Sequence, residues 1–240
     1  MGDHYEVVAS KYDASWELSA DYQHWVTQKI IMGLGLSSED TMIDLGAGTG
    51  VFAEKIIQDS ELTDLWCIEP SEEMSKKAKL RGLSVHSGTL DSFLALNEES
   101  FSKILMKEMI HHIADTSNTF LKIYSKILAE GKVLIVTRPQ VTEFPFFKSA
   151  ADTFYKSQPD YKIYTDQLEK VGFRVNVKTE SYRLKLPSEQ WYTMLRNRFM
   201  SNLSEHSAEE IEAGIKTLKH ESTSDFYDFN DNLIFIFAEL

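Results

Sequence analysis

The chain is poor in the features that mark secreted, membrane-spanning or nucleic-acid-binding proteins. It has one cysteine, Cys67, in 240 residues. No internal disulfide can form, and a reducing compartment, the cytoplasm, is expected. No apolar run approaches the roughly 20 residues of a membrane-spanning helix. The opening Met1-Gly2-Asp3-His4-Tyr5 does not read as a signal peptide, and Glu6 stands where a myristoylation signal needs Ser or Thr. Basic residues are in the minority: 25 Lys and Arg against 37 Asp and Glu give a net charge of −12. Such a chain repels phosphate backbones, and no basic stripe offsets this, so nucleic acid is excluded as a partner. Internal repeats, low-complexity tracts and long linkers are absent. No His, Cys and acid cluster has metal-ligand spacing, since His111-His112 lacks a third partner, and no metal is expected.

What is present centres on Thr41-Met42-Ile43-Asp44-Leu45-Gly46-Ala47-Gly48-Thr49-Gly50. Met42, Ile43 and Leu45 around a single acid predict a buried strand. The glycines form a turn, and Val51-Phe52-Ala53-Glu54-Lys55-Ile56-Ile57 predicts an amphipathic helix. Strand, glycine turn and helix make the nucleotide-binding unit of open α/β sheets. The spacing discriminates between ligands. A dinucleotide fingerprint needs a third glycine where bulky Val51 stands, which disfavours a dehydrogenase. A P-loop needs Gly-Lys-Ser/Thr, which is missing. The pattern Asp-x-Gly-x-Gly-x-Gly resembles the first motif of the class I S-adenosylmethionine (SAM) methyltransferases, of the small-molecule type. That resemblance implies SAM as cofactor and S-adenosylhomocysteine as product. It places Asp44, Gly46, Ala47, Gly48 and Gly50 around the cofactor, with the Asp44 carboxylate suited to its positive charge.

Further residues fit the same scheme. The second strand is predicted over 62–68 and ends at Glu69, 19 residues past Gly50. An acid at that place reads a ribose diol. Pro70 and Met74 follow at the start of a helix capped by Ser71 and belong with the cofactor set. After a short strand at 83–87, Leu90 and Asp91 match the residues that hold adenine in the resembling family. Strand four, over 102–109, carries Lys107 and then His111-His112 at its carboxyl end, where ligands bind in such sheets. Lys107 is assigned to the cofactor, and His111 or His112 to proton transfer near neutral pH. The stretch lacks the Asn/Asp-Pro-Pro-Tyr/Phe sequence that other methyltransferases use to grip a base amine or amide. Tyr12 lies in an N-terminal segment of the kind such enzymes fold over the cofactor.

Helices are predicted over 116–129, 144–157 and 164–171, and strands over 132–137, 173–186 and 233–238. The expected fold is a Rossmann-like seven-stranded, mostly parallel sheet with a reversed last strand and helices on both faces. One domain is expected over 1–240, with a helical lid at 1–36, a SAM-binding core at 37–186 and 231–240, and a helical cap at 187–230 over the acceptor. Arg138, Trp191, Arg196, Arg198 and Phe199 are assigned to the acceptor, the arginines favouring one that bears a carboxylate. The expected activity is methyl transfer from SAM to an O, N or S atom of a small molecule, by a monomer or homodimer. A SAM-binding scaffold without turnover is the alternative.

Overall fold

The computed structural model describes residues 20–96 and 100–240. The elements in chain order are α1 (Ala20–Leu34), β1 (Thr41–Leu45), α2 (Val51–Asp59), β2 (Asp64–Glu69), α3 (Glu72–Leu80), β3 (Ser84–Ser87) and α4 (Leu90–Leu96). Then come β4 (Phe101–Lys107), a 3-10 turn (Ile110–His112), α5 (Thr116–Lys126), β5 (Ile127–Thr137), α6 (Lys148–Ser157), α7 (Lys162–Val171) and β6 (Arg174–Pro187). The chain closes with α8 (Ser188–Arg196), a 3-10 turn (Ser201–Glu205), α9 (Ala208–Glu221) and β7 (Phe226–Glu239).

The strands form one sheet in the order β3-β2-β1-β4-β5-β7-β6. The first five are parallel, and β7 runs antiparallel to both its neighbours. The expected Rossmann-like sheet with a reversed last strand is therefore present. The central strands are near-continuous apolar runs because both faces are covered. Residues two apart share a face. Met42, Leu105, Leu134, Val136, Leu233 and Phe235 pack with α1, α2, α6 and the α8–α9 insertion. Ile43, Leu45, Ile104, Met106, Val133, Ile135, Ile234 and Ile236 pack with α4, α5 and α7.

Several boundaries differ from the sequence expectation: helix α6, expected from 144, begins at Lys148, and three further differences shape the sheet and the insertion. Helix α5 ends at Lys126 and β5 begins at Ile127, where a helix to 129 is predicted. The pairing with β4 slips between Phe101↔Ile127 and Lys103↔Lys132, and Glu130 takes φ 66, so this start of β5 carries a bulge. Second, β7 begins at Phe226, seven residues before the apolar run that signals a strand. Its polar first half is held by pairing with β6, and Arg183 adds a two-pronged ion pair to Asp228 at 2.7 and 2.8 Å. Third, the insertion consequently spans 188–225 rather than 187–230.

The insertion is anchored by aromatic packing. Trp191 is fully buried, lies parallel to Phe144 at 5.9 Å and meets Phe199 and Phe229 at 5.3 and 5.5 Å. Its indole N–H donates to the Pro145 carbonyl at 2.9 Å. Ser207 and Glu210 form the capping box that opens α9.

Candidate cofactor and acceptor site

The turn after β1 is built for close approach. Gly46 and Gly50 take φ 73 and 78, which L side chains resist. A Cβ at Gly50 would stand 2.4 Å from Leu83 Cδ1, and one at Gly46 would stand 2.8 Å from Met109 Cβ. The turn is then pinned from β2. Glu69 accepts from the Gly48 N–H through Oε2 and from the Ser71 N–H through Oε1, both at 2.8 Å. Ser71 caps α3 by accepting from the Met74 N–H at 3.3 Å. Met74 is buried under that first helical turn, while Pro70 is exposed beside it. The sequence thus puts Glu69, Pro70 and Met74 beside the turn formed by Gly46, Ala47, Gly48 and Gly50.

Asp44 is buried at the end of β1 on the α1 face, and burial lifts its carboxyl to about 7, against the pull of Lys107 and with a push from Glu69. Lys107, at the end of β4, is held down to about 7. Burial is the main cause and repulsion by Arg138 adds to it, while Asp231 and Asp44 oppose both. Its ammonium lies 4.1 Å from the centre of the Phe52 ring. A buried acid and a cation of reduced charge thus face the mouth above the glycine turn.

Two residues assigned to adenine separate. Leu90 is buried in the sheet face that carries α4, whereas Asp91 is exposed and pairs with Lys122 at 2.6 Å. Tyr12 lies outside the described residues.

Beyond Lys107 the chain turns sharply. Glu108 donates its N–H to the Val136 carbonyl at 2.8 Å and takes φ 56. A left-handed backbone at a non-glycine residue costs on the order of 1–3 kcal/mol and collects at functional sites. The 3-10 turn that follows is fixed by buried Ile110 and presents His111 and His112, their rings 4.0 Å apart. Burial first, and His112 second, push the His111 imidazole down to about 3. Its Nδ1 is buried without a hydrogen-bond partner among the described residues.

The arginines assigned to a carboxylate-bearing acceptor hold partners within the chain. Arg138 is 2% exposed and grips Asp231, itself fully buried, through Nε at 2.9 Å and Nη2 at 2.7 Å. Its Nη1 pairs with Glu108. The Tyr22 hydroxyl donates to Asp231 at 2.6 Å, which brings α1 into the same cluster. Arg196 forms a surface pair with Glu212 at 2.6 Å, and Arg198 donates to the His206 carbonyl at 3.0 Å. Trp191 and Phe199 are buried in the aromatic packing under the insertion. Arg138, Trp191 and Phe199 all pack on the Phe144 ring, whereas Arg196 is paired at the surface. Sequence reasoning missed Tyr22, Glu108 and Asp231. Asp231 had a signal: counting back by twos from Phe235 and Leu233 puts it on their buried face.

Among the described residues no group of three or more His, Cys, Asp and Glu could hold a metal, and no helix is long and apolar enough to cross a membrane.

The sequence model of a methyltransferase-domain family matches residues 36–198, more than half of the chain. The chain belongs to that family. It is a class I SAM-dependent methyltransferase, in keeping with its sheet order and glycine turn. An uncharacterized methyltransferase of Schizosaccharomyces pombe is 25% identical to it over 194 residues, 67% of this chain and 69% of the relative. Among solved structures, a putative methyltransferase from an antibiotic biosynthesis pathway of Anabaena variabilis covers 90% of this methyltransferase and 97% of its own length, with a TM-score of 0.67 at 17% identity. The phosphoethanolamine N-methyltransferase 2 of Haemonchus contortus, solved with phosphomonomethylethanolamine and S-adenosylhomocysteine, has a TM-score of 0.56 at 19% identity. It covers 91% of this chain and 52% of its own. At these identities the two structures speak for the fold.

Proposed function

We propose that this methyltransferase binds SAM over the β1 and β2 ends and transfers its methyl group to a small-molecule acceptor at the β4 and β5 ends. The observation that carries the reading is the Glu69 carboxylate, which holds the Gly48 N–H and stands where a ribose diol would be read. The cradle suits the cofactor: Gly46 and Gly50 let the turn take left-handed conformations packed close on Met109 and Leu83, and buried Asp44 offers a carboxylate to a cation. When bound, SAM supplies a methyl already activated by the adjoining sulfonium.

The chain's own task is then alignment and exclusion of water. Asp44, Gly46, Ala47, Gly48, Gly50, Glu69, Pro70, Met74 and Leu90 hold the cofactor. Lys107 sits beside it, and burial, with repulsion by Arg138, holds its ammonium down to about 7, which weakens its repulsion of a second cation near neutral pH. The α8–α9 insertion roofs the acceptor space, and an O, N or S nucleophile is the class of acceptor atom. Arg138 and Arg196 hold carboxylates of the chain, Asp231 and Glu212, and Arg198 holds the His206 carbonyl, so none of the three contacts points to a carboxylate-bearing acceptor. Cys67 is buried and the cytoplasm suits it.

Calorimetric titration of the purified chain with SAM and, separately, NADH tests the first half. SAM should bind and NADH should not. Formation of S-adenosylhomocysteine with a pool of small metabolites tests the second. Tight NADH binding without SAM binding would overturn the proposal.

A further inference from the structure

One guanidinium at the acceptor mouth faces two carboxylates. Asp231 takes the Nε and Nη2 edge of Arg138, and both groups are closed off from solvent, with side chains 0% and 2% exposed. That pair is neutral as a unit. Glu108 takes Nη1 from the other side, and its side chain is 17% exposed. Within the trio of Arg138, Asp231 and Glu108, one guanidinium thus serves two carboxylates, and Glu108 is the carboxylate that reaches the surface. The nearby cation, Lys107, stacks on Phe52, and its charge interacts with Asp231 and Arg138 as well as with Asp44.

The backbone points the same way. Glu108 is the residue that ends β4 in a left-handed conformation, between Lys107 and the turn that carries His111 and His112. Strain of this kind persists where surrounding contacts fix it, and here the Val136 carbonyl and Arg138 do so. The neighbouring His111, its pKa pushed down to about 3 by burial, adds no positive charge beside Glu108 near neutral pH.

We propose that Glu108 is the specificity residue of the acceptor site and that the acceptor is a small amine, a step that rests on the methyl-transfer reading above. Its carboxylate attracts the amine as an ammonium and accepts a hydrogen bond from its N–H once one proton has passed to water. The nitrogen lone pair then forms the new N–C bond as the C–S bond of the sulfonium breaks, and the electron pair of that bond stays on sulfur. The product is a methylammonium, which sheds its surplus proton to water. Two carboxylates thus divide the work: Asp44 faces the positive charge of the cofactor and Glu108 that of the acceptor.

The test is S-adenosylhomocysteine release by the full chain with SAM and size-matched primary amines, phenols and carboxylic acids. Turnover with amines is expected. Glu108→Gln should raise the amine KM at least tenfold, with kcat within threefold and calorimetric SAM affinity within twofold. Glu108→Asn removes the charge with a residue that accepts the left-handed backbone, so the same KM rise should appear even if the glutamine variant folds poorly. SAM binding without amine turnover, or an amine KM unchanged in both variants, overturns the assignment of Glu108. Failure of the wild-type chain to bind SAM overturns the methyl-transfer reading itself, and this inference with it.

Discussion

Glu69 and Gly48, 21 residues apart in sequence, are joined by a 2.8 Å hydrogen bond from the glycine N–H to the carboxylate. The end of β2 thereby sets the shape of the turn after β1 before any ligand arrives. Glu69→Ala should release the Gly48 and Ser71 N–H groups as well as remove a ribose partner. Loss of a hydrogen bond to a charged group costs roughly 1.5–3 kcal/mol. SAM affinity measured by calorimetry should fall at least tenfold.

Arg138 and Asp231 form a pair with almost no access to water. Breaking such a pair by removing one partner costs about 3–5 kcal/mol when the other charge is left buried alone, and since Glu108 still faces Arg138 the loss in Asp231→Ala should lie toward the lower end of that range. Asp231→Ala should therefore lower the urea midpoint strongly. Replacing both members together, as Arg138→Met with Asp231→Leu, should restore much of the loss. Equal destabilisation in the single and double variants would contradict this account.

Stability should respond to pH through Asp44 and Lys107 in opposite directions. Asp44 is raised to about 7 in the folded chain, so between about pH 4 and 7 the folded state binds more protons than the unfolded one. Stability from this group falls as pH rises across that window. Lys107 is lowered to about 7, so from there to about pH 10 the unfolded state binds more protons. Stability from this group rises with pH across that second window. Urea unfolding from pH 5 to 9 should show the first slope diminished in Asp44→Asn and the second diminished in Lys107→Met.

Trp191 supplies the buried anchor of the insertion. Trp191→Ala should cost about 3–5 kcal/mol, the usual range for emptying a large aromatic site. SAM affinity at room temperature should stay within twofold, since the indole packs on Phe144 and Phe229 rather than on the glycine turn. A thermal melt alongside the titration checks both.

The parts of the molecule legible in the sequence are those set by local pattern. Met42-Ile43-Asp44-Leu45 followed by alternating glycines announces a strand and its turn, and Glu69 follows at a distance fixed by one helix and one strand. The second half of β7 is legible as a strand in the run Leu233-Ile234-Phe235-Ile236-Phe237, its reversed direction follows only from the family resemblance, and its first half is not legible. Tyr227-Asp228-Phe229-Asn230 extends the strand only because β6 is there to pair with it. The acceptor side was harder to read for the same reason. An arginine carries no mark of its partner, and Arg138 meets Asp231 across 93 residues of chain. The left-handed turn at Glu108 depends on Val136 and Arg138, neither of which is local to it.

The Tyr22–Asp231 bond ties the first described helix to the last strand across 209 residues. A ribosome delivers residues in order, at roughly 5–20 per second. Arg138 thus emerges well before Asp231, and the nascent chain carries that guanidinium without its main counter-ion. Burying it at that stage would be unfavourable, so the α1 face cannot close in its final form over the first five strands alone. Completion of the mouth is deferred until β7 slides between β5 and β6. A truncated translation product that stops short of Asp231 would then retain an open, charged seam, a feature that quality-control proteases could recognise.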